Sequence, residues 1–250
     1  MRKNNRLVIL SPHPDDAVWS IGGAIPLMPS DVEIIIVTLF DGDPGKNDSR
    51  CSRLSDRWRM FGEMSMRRDE DAKAAVRLGC ERVSLGFVDA AMPENDEGAF
   101  EYGSLDAVLQ QGRGVHDVQV PDPIQRRICD LLEPEDELLV PLGFGGHVDH
   151  LLTHALARRL PQRTSYYADF PYYLPGRREA LDEWIDTLGL APTPLSLPCD
   201  WQAWMESSLC YRSQILRLFG SRASFLETLR AYAWGDGAEP CCRIWWTHSR

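Results

Sequence analysis

Six residues near the start of the chain combine an imidazole with two adjacent carboxylates. The segment from Ser11 to Asp16 reads Ser-Pro-His-Pro-Asp-Asp and follows the apolar run Leu7–Leu10, which predicts a buried strand. The two prolines keep the segment extended, because proline fixes its own φ and disfavours helix in the preceding residue. His13, Asp15 and Asp16 should therefore leave the carboxyl end of the first strand, where open α/β sheets usually bind their ligands.

A second segment, far along the chain, supplies two further imidazoles. It reads Gly-Gly-His-Val-Asp-His, ends at His150 and follows the strand-like run Leu138–Pro141. The apolar periodicity after it predicts a helix, with His147 on the preceding loop and His150 in the first turn. Together, His13, Asp16 and His150 form the His/carboxylate/His ligand set of a catalytic zinc site that keeps one position open for water.

These two segments resemble the signatures of a known family, the zinc-dependent N-acetylglucosaminyl deacetylases, also called the PIG-L or LmbE-like family. His13–Asp16 matches its His-Pro-Asp-Asp signature, and His147–His150 matches its His-x-Asp-His signature. A third match is the Arg-rich run Arg67–Asp71. The resemblance spans residues 5 to 175 or so and implies hydrolysis of an amide to a free amine and acetate.

The metal and the base have the central roles in this chemistry. We expect His13, Asp16 and His150 to hold Zn²⁺, although two imidazoles and a carboxylate also suit another divalent transition metal such as Fe²⁺. Such an ion polarises an amide carbonyl and lowers the pKa of water from about 15.7 to about 7. Asp15 is not a ligand and should act as the general base, later returning the proton to the leaving amine.

Four further residues are assigned around this centre. His147 should stabilise the tetrahedral oxyanion, most effectively as an imidazolium. Asp149 should hydrogen-bond a nitrogen of His147, which would fix its orientation and raise its pKa. The resemblance implies that Arg68 and Asp89 contact sugar hydroxyls or a neighbouring group of the substrate.

Each of these residues also has a purely structural interpretation. Asp15 and Asp16 are of a type that caps helices, and Arg68 could be a solvated helix charge. Asp89 could be a turn residue, and the histidines of the second segment could be surface residues at a helix start. His154 lies at i+4 from His150, a spacing at which it could be a further metal ligand. Alternatively, it is a hydrogen-bonded or surface histidine outside the ligand set.

Two positions depart from the family pattern. Many members carry a glutamate directly after the paired aspartates, where this chain has Ala17. Some members place a mobile tyrosine two residues before the first histidine of the second signature, where this chain has Gly145. The first difference affects metal affinity and the second affects the shape of the substrate pocket.

Strand-like and helical segments alternate along the chain, which predicts a Rossmann-like, doubly wound α/β sheet that is mostly parallel. We interpret residues 1–250 as a single LmbE-like deacetylase domain, with a core over about 5–175 and closing elements over about 200–250. Polar residues 41–57 and 92–121 predict a loop and an insertion over the site. The predicted strands are Leu7–Leu10, Val32–Phe40, Val83–Phe87, Glu137–Val140, Thr164–Ala168 and Cys242–Thr247. The first predicted helix begins near Trp19, and the others span Met64–Leu78, Ile124–Leu132, Leu151–Leu160, Trp201–Phe219 and Ser224–Ala233.

Composition narrows the range of partners and compartments. The net charge of −10 argues against a nucleic-acid partner. No apolar run approaches the roughly 20 residues of a membrane span, so we expect no membrane partner. The seven cysteines are odd in number and contain no CxxC pair, which favours reduced thiols in the cytoplasm. Most aromatic residues of the tail should be buried in the core.

These observations favour a zinc N-deacetylase that acts on a soluble N-acetylglucosamine-like compound, an N-acylated amino sugar or its conjugate. A second hypothesis is a metal-dependent amidase for a larger amide, such as a thiol conjugate or an antibiotic precursor. A third is a Rossmann-type nucleotide-binding protein without hydrolytic activity. The third requires a Gly-x-Gly-x-x-Gly turn after the first strand, where this chain has Pro-His-Pro.

Overall fold

The structure is a computed structural model that describes residues 5–43, 63–89, 108–109, 115, 118–174, 176–189, 193–235 and 237–246. Most of the predicted loop 41–57 and most of the predicted insertion 92–121 lie outside the described residues, as does Thr247. Both histidine segments and all eight candidate site residues lie within them.

A seven-stranded sheet forms the centre of the protein. Its strands are β1 (Asn5–Ser11), β2 (Val32–Thr38), β3 (Glu81–Ser84), β4 (Glu137–Pro141), β5 (Arg163–Tyr167), β6 (Thr193–Pro198) and β7 (Cys241–Trp246). Their order across the sheet is β3-β2-β1-β4-β5-β7-β6. β1 to β5 are parallel, and β7 runs antiparallel to both of its neighbours. The predicted fold class, a mostly parallel Rossmann-like α/β sheet, is confirmed.

The topology explains where a site can form. From β1 the chain adds β2 and β3 on one side, and it then crosses over to add β4 and β5 on the other. The loops after β1 and β4 therefore diverge at a switch point, where open α/β sheets leave a crevice for ligands. The centre of β1 is fully buried, with Val8, Ile9 and Leu10 each 0% exposed. Such a strand gives the polar turn after it a rigid support.

Eight helices and a short 3-10 turn (Ile25–Leu27) accompany the sheet in the described residues. The helices are α1 (Asp16–Ile21), α2 (Met64–Leu78), α3 (Asp122–Leu131), α4 (Val148–Ala157), α5 (Arg178–Thr187), α6 (Trp201–Ser208), α7 (Arg212–Phe219) and α8 (Arg222–Trp234). α2 ends as predicted at Gly79, whose φ of 69° suits a left-handed C-cap. None of these helices combines the length and apolar character that crossing a membrane requires.

The C-terminal helices hold α1 in place behind the first polar turn. The Trp204 indole nitrogen donates to the Val18 carbonyl at 2.9 Å, and the Tyr232 hydroxyl donates to the Ser20 carbonyl at 3.1 Å. The Trp204 and Tyr211 side chains are fully buried, which confirms the core prediction for these two tail aromatics. The tail thus supports the helix from which the paired aspartates emerge. That residues 1–250 act as one domain stays a prediction.

Some predicted boundaries were wrong at the sheet. β2 ends at Thr38 and β3 at Ser84, each earlier than predicted, so Asp41 and Asp89 follow on loops at the carboxyl edge. α5 and β6 were not predicted at all. β6 contains two prolines and is an edge strand, the position in a sheet where proline is tolerated, so its sequence lacks the usual strand pattern.

The single predicted helix over Trp201–Phe219 is also wrong, because the structure divides it into α6 and α7. The break brings Tyr211 into the core, where its hydroxyl donates to Asp71 Oδ1 at 2.6 Å. Glu70 accepts the backbone N–H of Ser213 at 2.9 Å and so satisfies a free amide of the first turn of α7. Asp71 and Glu70 both lie on α2. The interactions that separate α6 from α7 therefore come from a distant part of the sequence, and the residues between the two helices do not predict the break.

Candidate metal and catalytic site

The turn after β1 is closed by Ser11 rather than by the aspartates. The Ser11 hydroxyl donates to the His13 carbonyl at 2.7 Å and accepts the Ala17 backbone N–H at 3.1 Å. Asp15 occupies the N-cap position of α1, yet its side chain makes no capping hydrogen bond. Its φ is 106°, and it is the single described residue other than glycine with positive φ. Helix capping therefore does not explain Asp15, which is held in a strained conformation typical of functional sites.

The three predicted metal ligands converge on one oxygen atom. Asp16 Oδ2 lies 3.1 Å from His13 Nδ1 and 3.2 Å from His150 Nε2, and it also accepts the His13 backbone N–H at 2.8 Å. Tetrahedral metal ligands with bonds of about 2.0–2.1 Å lie about 3.3 Å apart, and each of the two nitrogen–oxygen separations is close to that distance. One nitrogen each from His13, His147 and His150 also lie within 4.8 Å of one another, and so do ligand atoms of His13, Asp89 and Asp149. The described residues thus contain a possible His/Asp metal-binding group.

A carboxylate that the sequence interpretation left without a role orients His150. Asp169 follows β5, is fully buried, and places Oδ1 2.7 Å from His150 Nδ1. Its other oxygen accepts the Phe144 backbone N–H at 3.1 Å. This contact leaves Nε2 of His150 facing Asp16, as a metal ligand requires. The position of Asp169 at the carboxyl end of a predicted strand was a usable signal for this role.

Neighbouring charges control the protonation of the metal-binding group. Burial alone would lower the pKa of His150, but Asp16 and Asp169 raise it to about 9. Burial likewise opposes a charged His13, yet Asp89, Asp149 and Asp16 raise its pKa well above 6.5. Burial would raise the pKa of Asp16, but the charges of His150 and His13 hold it well below 3.8. Without metal, protons on the imidazoles therefore compensate the carboxylates.

Asp15 has a different environment from Asp16 although the two are adjacent. Burial raises its pKa to about 8, the positive charge of Arg67 opposes this rise, and the Asp16 carboxylate adds to it. The Arg67 guanidinium lies 3.5 Å from Asp15 Oδ2 and donates to the Pro14 carbonyl at 3.3 Å. Arg67 is buried, so it is the arginine of the Arg-rich run that reaches the site.

The second histidine segment adopts the predicted local structure, with His147 as N-cap of α4 and His150 in its first turn. The Asp149 carboxylate was predicted to hydrogen-bond His147, but its Oδ2 lies 2.9 Å from Nε2 of a different histidine, His13. His147 Nδ1 instead accepts the Asp149 backbone N–H at 3.3 Å. Burial, together with the charges of His13 and His150, lowers the pKa of His147 well below 6.5. This direction is opposite to the predicted rise, because the nearby imidazoles carry the positive charge.

Of the remaining candidates, the structure brings Asp89 to this group and gives Arg68 and His154 other partners. Asp89 Oδ2 is 3.3 Å from His13 Nε2, so Asp89 belongs to the cluster. The Arg68 guanidinium donates to the Asp41 carbonyl at 2.5 Å and to Asp43 at 2.6 Å. His154 is fully buried, stacks on Tyr166 and places Nδ1 3.1 Å from the Pro141 carbonyl, and the ligand groups of the described residues do not include it.

Two parts of the chain that the sequence interpretation did not place at the centre also contact it. Leu109, from the predicted insertion, forms an isolated antiparallel bridge with His147. The Tyr172 ring stands perpendicular to the His150 ring, with centroids 5.4 Å apart. Burial and the charges of Asp16 and Asp169 raise the pKa of Tyr172 well above 10, and Asp15 and Asp89 act in the same direction.

These observations define a class: a Rossmann-like α/β protein whose switch point carries a His/Asp group able to bind a metal beside a strained, buried aspartate. Residues 8–160 match the family model for PIG-L, described as GlcNAc-PI de-N-acetylase. The match covers more than half of the chain, and the chain belongs to the PIG-L family. The predicted resemblance is therefore confirmed.

Two proteins with sequences similar to this chain are named as deacetylases. The chain is 31% identical over 186 residues to a 2'-N-acetylparomamine deacetylase of Streptomyces fradiae, covering 72% of this chain and 61% of that protein. It is 28% identical over 121 residues to a diacetylchitobiose deacetylase of Thermococcus kodakarensis, covering 47% and 41%. The chain thus spans less than two thirds of each of these relatives.

A solved structure extends the similarity of the fold over nearly the whole chain. The zinc-inhibited form of a teicoplanin deacetylase superposes with a TM-score of 0.71, covering 96% of this chain and 97% of that chain. The two sequences are 20% identical, so this comparison establishes a shared fold. It includes the C-terminal region, which lies beyond the family match at residues 8–160.

Proposed function

We propose that this protein is a metal-dependent N-deacetylase that hydrolyses the acetamide of a small N-acetylated amino sugar to a free amine and acetate. The observation that carries the proposal is the placement of Asp15. It is 5% exposed, its side chain makes no capping hydrogen bond, and its backbone is strained. The next residue, Asp16, carries the oxygen on which His13 and His150 converge. Family membership and the named activities of the relatives support the same reaction.

His13, Asp16 and His150 would hold the metal. Two imidazoles and one carboxylate form a donor set that suits zinc, and the observed atom separations fit a shared ion. When bound, a divalent ion would polarise the amide carbonyl and lower the pKa of water. Fe²⁺ and Co²⁺ also accept this donor set, and one structural relative is described as zinc-inhibited, so the native metal is a variable of the test.

Asp15 would accept a proton from the attacking water and return it to the nitrogen of the leaving amine. A general base works best when its pKa lies near the operating pH, and the pKa of Asp15 is raised to about 8. Arg67 keeps part of the Asp15 population ionised, because its guanidinium opposes the effect of burial on that pKa. The pair thus supplies a carboxyl group that can both take up and release a proton.

His147 would donate a hydrogen bond to the amide oxygen as negative charge develops there. Its Nδ1 accepts the Asp149 backbone N–H, so in the neutral ring the proton is on Nε2. Burial and the neighbouring positive charges hold its pKa well below 6.5, which favours this neutral donor over an imidazolium. Asp149, bonded to His13, would then orient a metal ligand rather than the oxyanion donor.

Two further residues are proposed to contact the substrate. Asp89 is partly exposed next to His13, and Arg68 is partly exposed and bonded to Asp43; we propose that both contact sugar hydroxyls. We also propose a cytoplasmic location, because the six described cysteines are all free thiols.

Acetate release from purified protein tests the proposal. N-acetylglucosamine, 2'-N-acetylparomamine, N,N'-diacetylchitobiose and an N-acetylated thiol conjugate should be compared, with and without chelator, after reloading with zinc, iron or cobalt. We expect release that the chelator abolishes and one metal restores. Asp15→Asn should keep the metal and lose most turnover, while the surface variant Glu183→Gln on α5 should match the wild type. Chelator-resistant release, or full activity of Asp15→Asn, would refute the proposal, and preference for the conjugate would favour the amidase.

A further inference from the structure

The Tyr172 ring occupies the space that a side chain at Gly145 would need. A Cβ atom built on Gly145 would lie 2.5 Å from Cγ of Tyr172 and 2.6 Å from its Cβ, closer than real atoms approach. Gly145 also has a φ of 100°, which side chains rarely adopt. The backbone before His147 is therefore shaped to accept an aromatic ring that comes from the other side of the crevice, after β5.

Two contacts hold Tyr172 beside a proposed metal ligand, one through its ring and one through its backbone. Its edge-to-face contact with His150, at a centroid separation of 5.4 Å, places it against a proposed metal ligand. The Arg177 guanidinium donates to the Tyr172 backbone carbonyl at 2.7 Å and holds that end of the residue. Within the described part of the chain, the Tyr172 hydroxyl makes no hydrogen bond.

We infer that Tyr172 is a further catalytic residue, whose hydroxyl donates a hydrogen bond to the amide oxygen of the bound substrate alongside His147. The inference rests on the proposed deacetylase function. A hydroxyl that no described residue engages, on a ring that packs against the proposed ligand His150, is available to a ligand oxygen. Two donors aimed at one developing oxyanion form the usual oxyanion hole of acyl-transfer sites.

Tyr172→Phe tests this role because it removes the hydroxyl and keeps the ring. We expect kcat to fall on the order of 100-fold, the effect of losing one oxyanion donor, with little change in KM. Tyr173→Phe is the matched control, since the neighbouring ring packs against Phe144 and Tyr232 away from His150. Unchanged kcat in Tyr172→Phe, or a change in KM alone, would overturn the inference.

The substrate offers a readout that a structural role would not move. A trifluoroacetyl amide stabilises its own oxyanion, so it needs less help from protein donors. The loss caused by Tyr172→Phe should shrink several-fold on the trifluoroacetyl substrate relative to the acetyl substrate. An equal loss on both substrates would indicate that the hydroxyl contributes only to folding or pocket shape.

A double-mutant cycle tests the link to Gly145. Gly145→Ala should displace the ring and lower kcat, and combining it with Tyr172→Phe should add little, because both changes remove the same contact. Thermal unfolding of each variant shows whether it is folded. Additive losses in folded variants would contradict the proposed seating of Tyr172 by Gly145.

Binding measurements separate failure of this inference from failure of the proposed function. A methylphosphonamidate of glucosamine carries a tetrahedral, negatively charged centre in place of the amide. Calorimetry on metal-loaded protein should show weaker binding to Tyr172→Phe than to wild type or Tyr173→Phe. If wild type releases no acetate but binds the analogue through Tyr172, the deacetylase assignment fails while the contact stands. Equal binding by all three proteins would overturn the contact itself.

Discussion

Metal binding should release two protons near neutral pH, because His13 and His150 carry protons in the metal-free protein. Asp16 and Asp169 raise the pKa of His150 to about 9 despite burial, and the pKa of His13 is also raised well above 6.5. Imidazole must be neutral on its coordinating nitrogen to bind a metal. At pH 7 about 1% of His150 would be neutral, which weakens binding about 100-fold, or by about 2.7 kcal/mol.

Calorimetric titration of metal into the metal-free protein measures this release directly. Experiments at pH 7 in buffers of different ionisation enthalpy give the number of protons released per ion. We expect a value near two and a Kd that falls about 100-fold per pH unit while both imidazoles are protonated. Tight binding without proton release, or a Kd independent of pH between 6.5 and 8.5, would refute the electrostatic account of the site.

The same protonation makes the stability of the metal-free protein depend on pH. The folded pKa of His150 is raised, so its stabilising effect is complete below pH 6.5 and is lost as pH rises toward 9. Asp15, with its pKa raised from 3.8 to about 8, acts in the same direction up to pH 8. The rise in Tm caused by metal should therefore grow between pH 6.5 and 8.5. A constant rise in Tm over this range would contradict the raised pKa values.

Three substitutions test individual contacts. Asp169→Ala should weaken metal binding about 10- to 100-fold in chelator competition, because His150 loses the carboxylate that orients it; wild-type affinity would rule this out. Asp15→Gly should be more stable than Asp15→Ala by about 1–2 kcal/mol in urea unfolding, since glycine adopts a φ of 106° without strain; equal stability would mean the backbone is relaxed. Arg67→Met should move the Asp15 limb of the pH–rate profile to higher pH, whereas Arg68→Met should not; identical shifts would exclude the specific Arg67 contact.

The convergence of the two histidine segments was predictable from the sequence. Each follows a strand-like run, and parallel strands that are neighbours present their carboxyl ends at one edge. β1 and β4 are such neighbours, with Val8 paired to Leu138. The predictions that His147 directly precedes a helix with His150 in its first turn, and that a glycine caps α2, succeeded for a similar reason, since both depend on local sequence alone. The predicted helix Leu151–Leu160 nevertheless begins and ends three residues too late.

The arginine that reaches the site can be identified only from the positions of the two arginines around the helix axis of α2. The buried residues of α2 recur at three- and four-residue spacing: Met64, Arg67, Glu70, Asp71, Ala74, Ala75 and Leu78. Arg67 falls on this stripe, and Arg68 lies about 100° away around the helix. An arginine on the apolar face of a helix is buried, so its guanidinium needs a buried acceptor such as Asp15. The sequence contained this signal, but the partner could not be read from it.

The pairing of Asp149 with His13 could not be predicted, because it depends on the total charge of the site. Asp15, Asp16, Asp149 and Asp169 are all buried, and among the described residues the buried arginine Arg67 contacts one of them, Asp15. Uncompensated buried carboxylates are costly, so in the metal-free protein protons on the imidazoles balance them. A divalent ion carries the same total charge as two such protons, so it can replace them without changing the net charge of the site. The excess of buried carboxylates is thus the physical basis of the proposed metal binding, and it is the reason why metal and protons should compete.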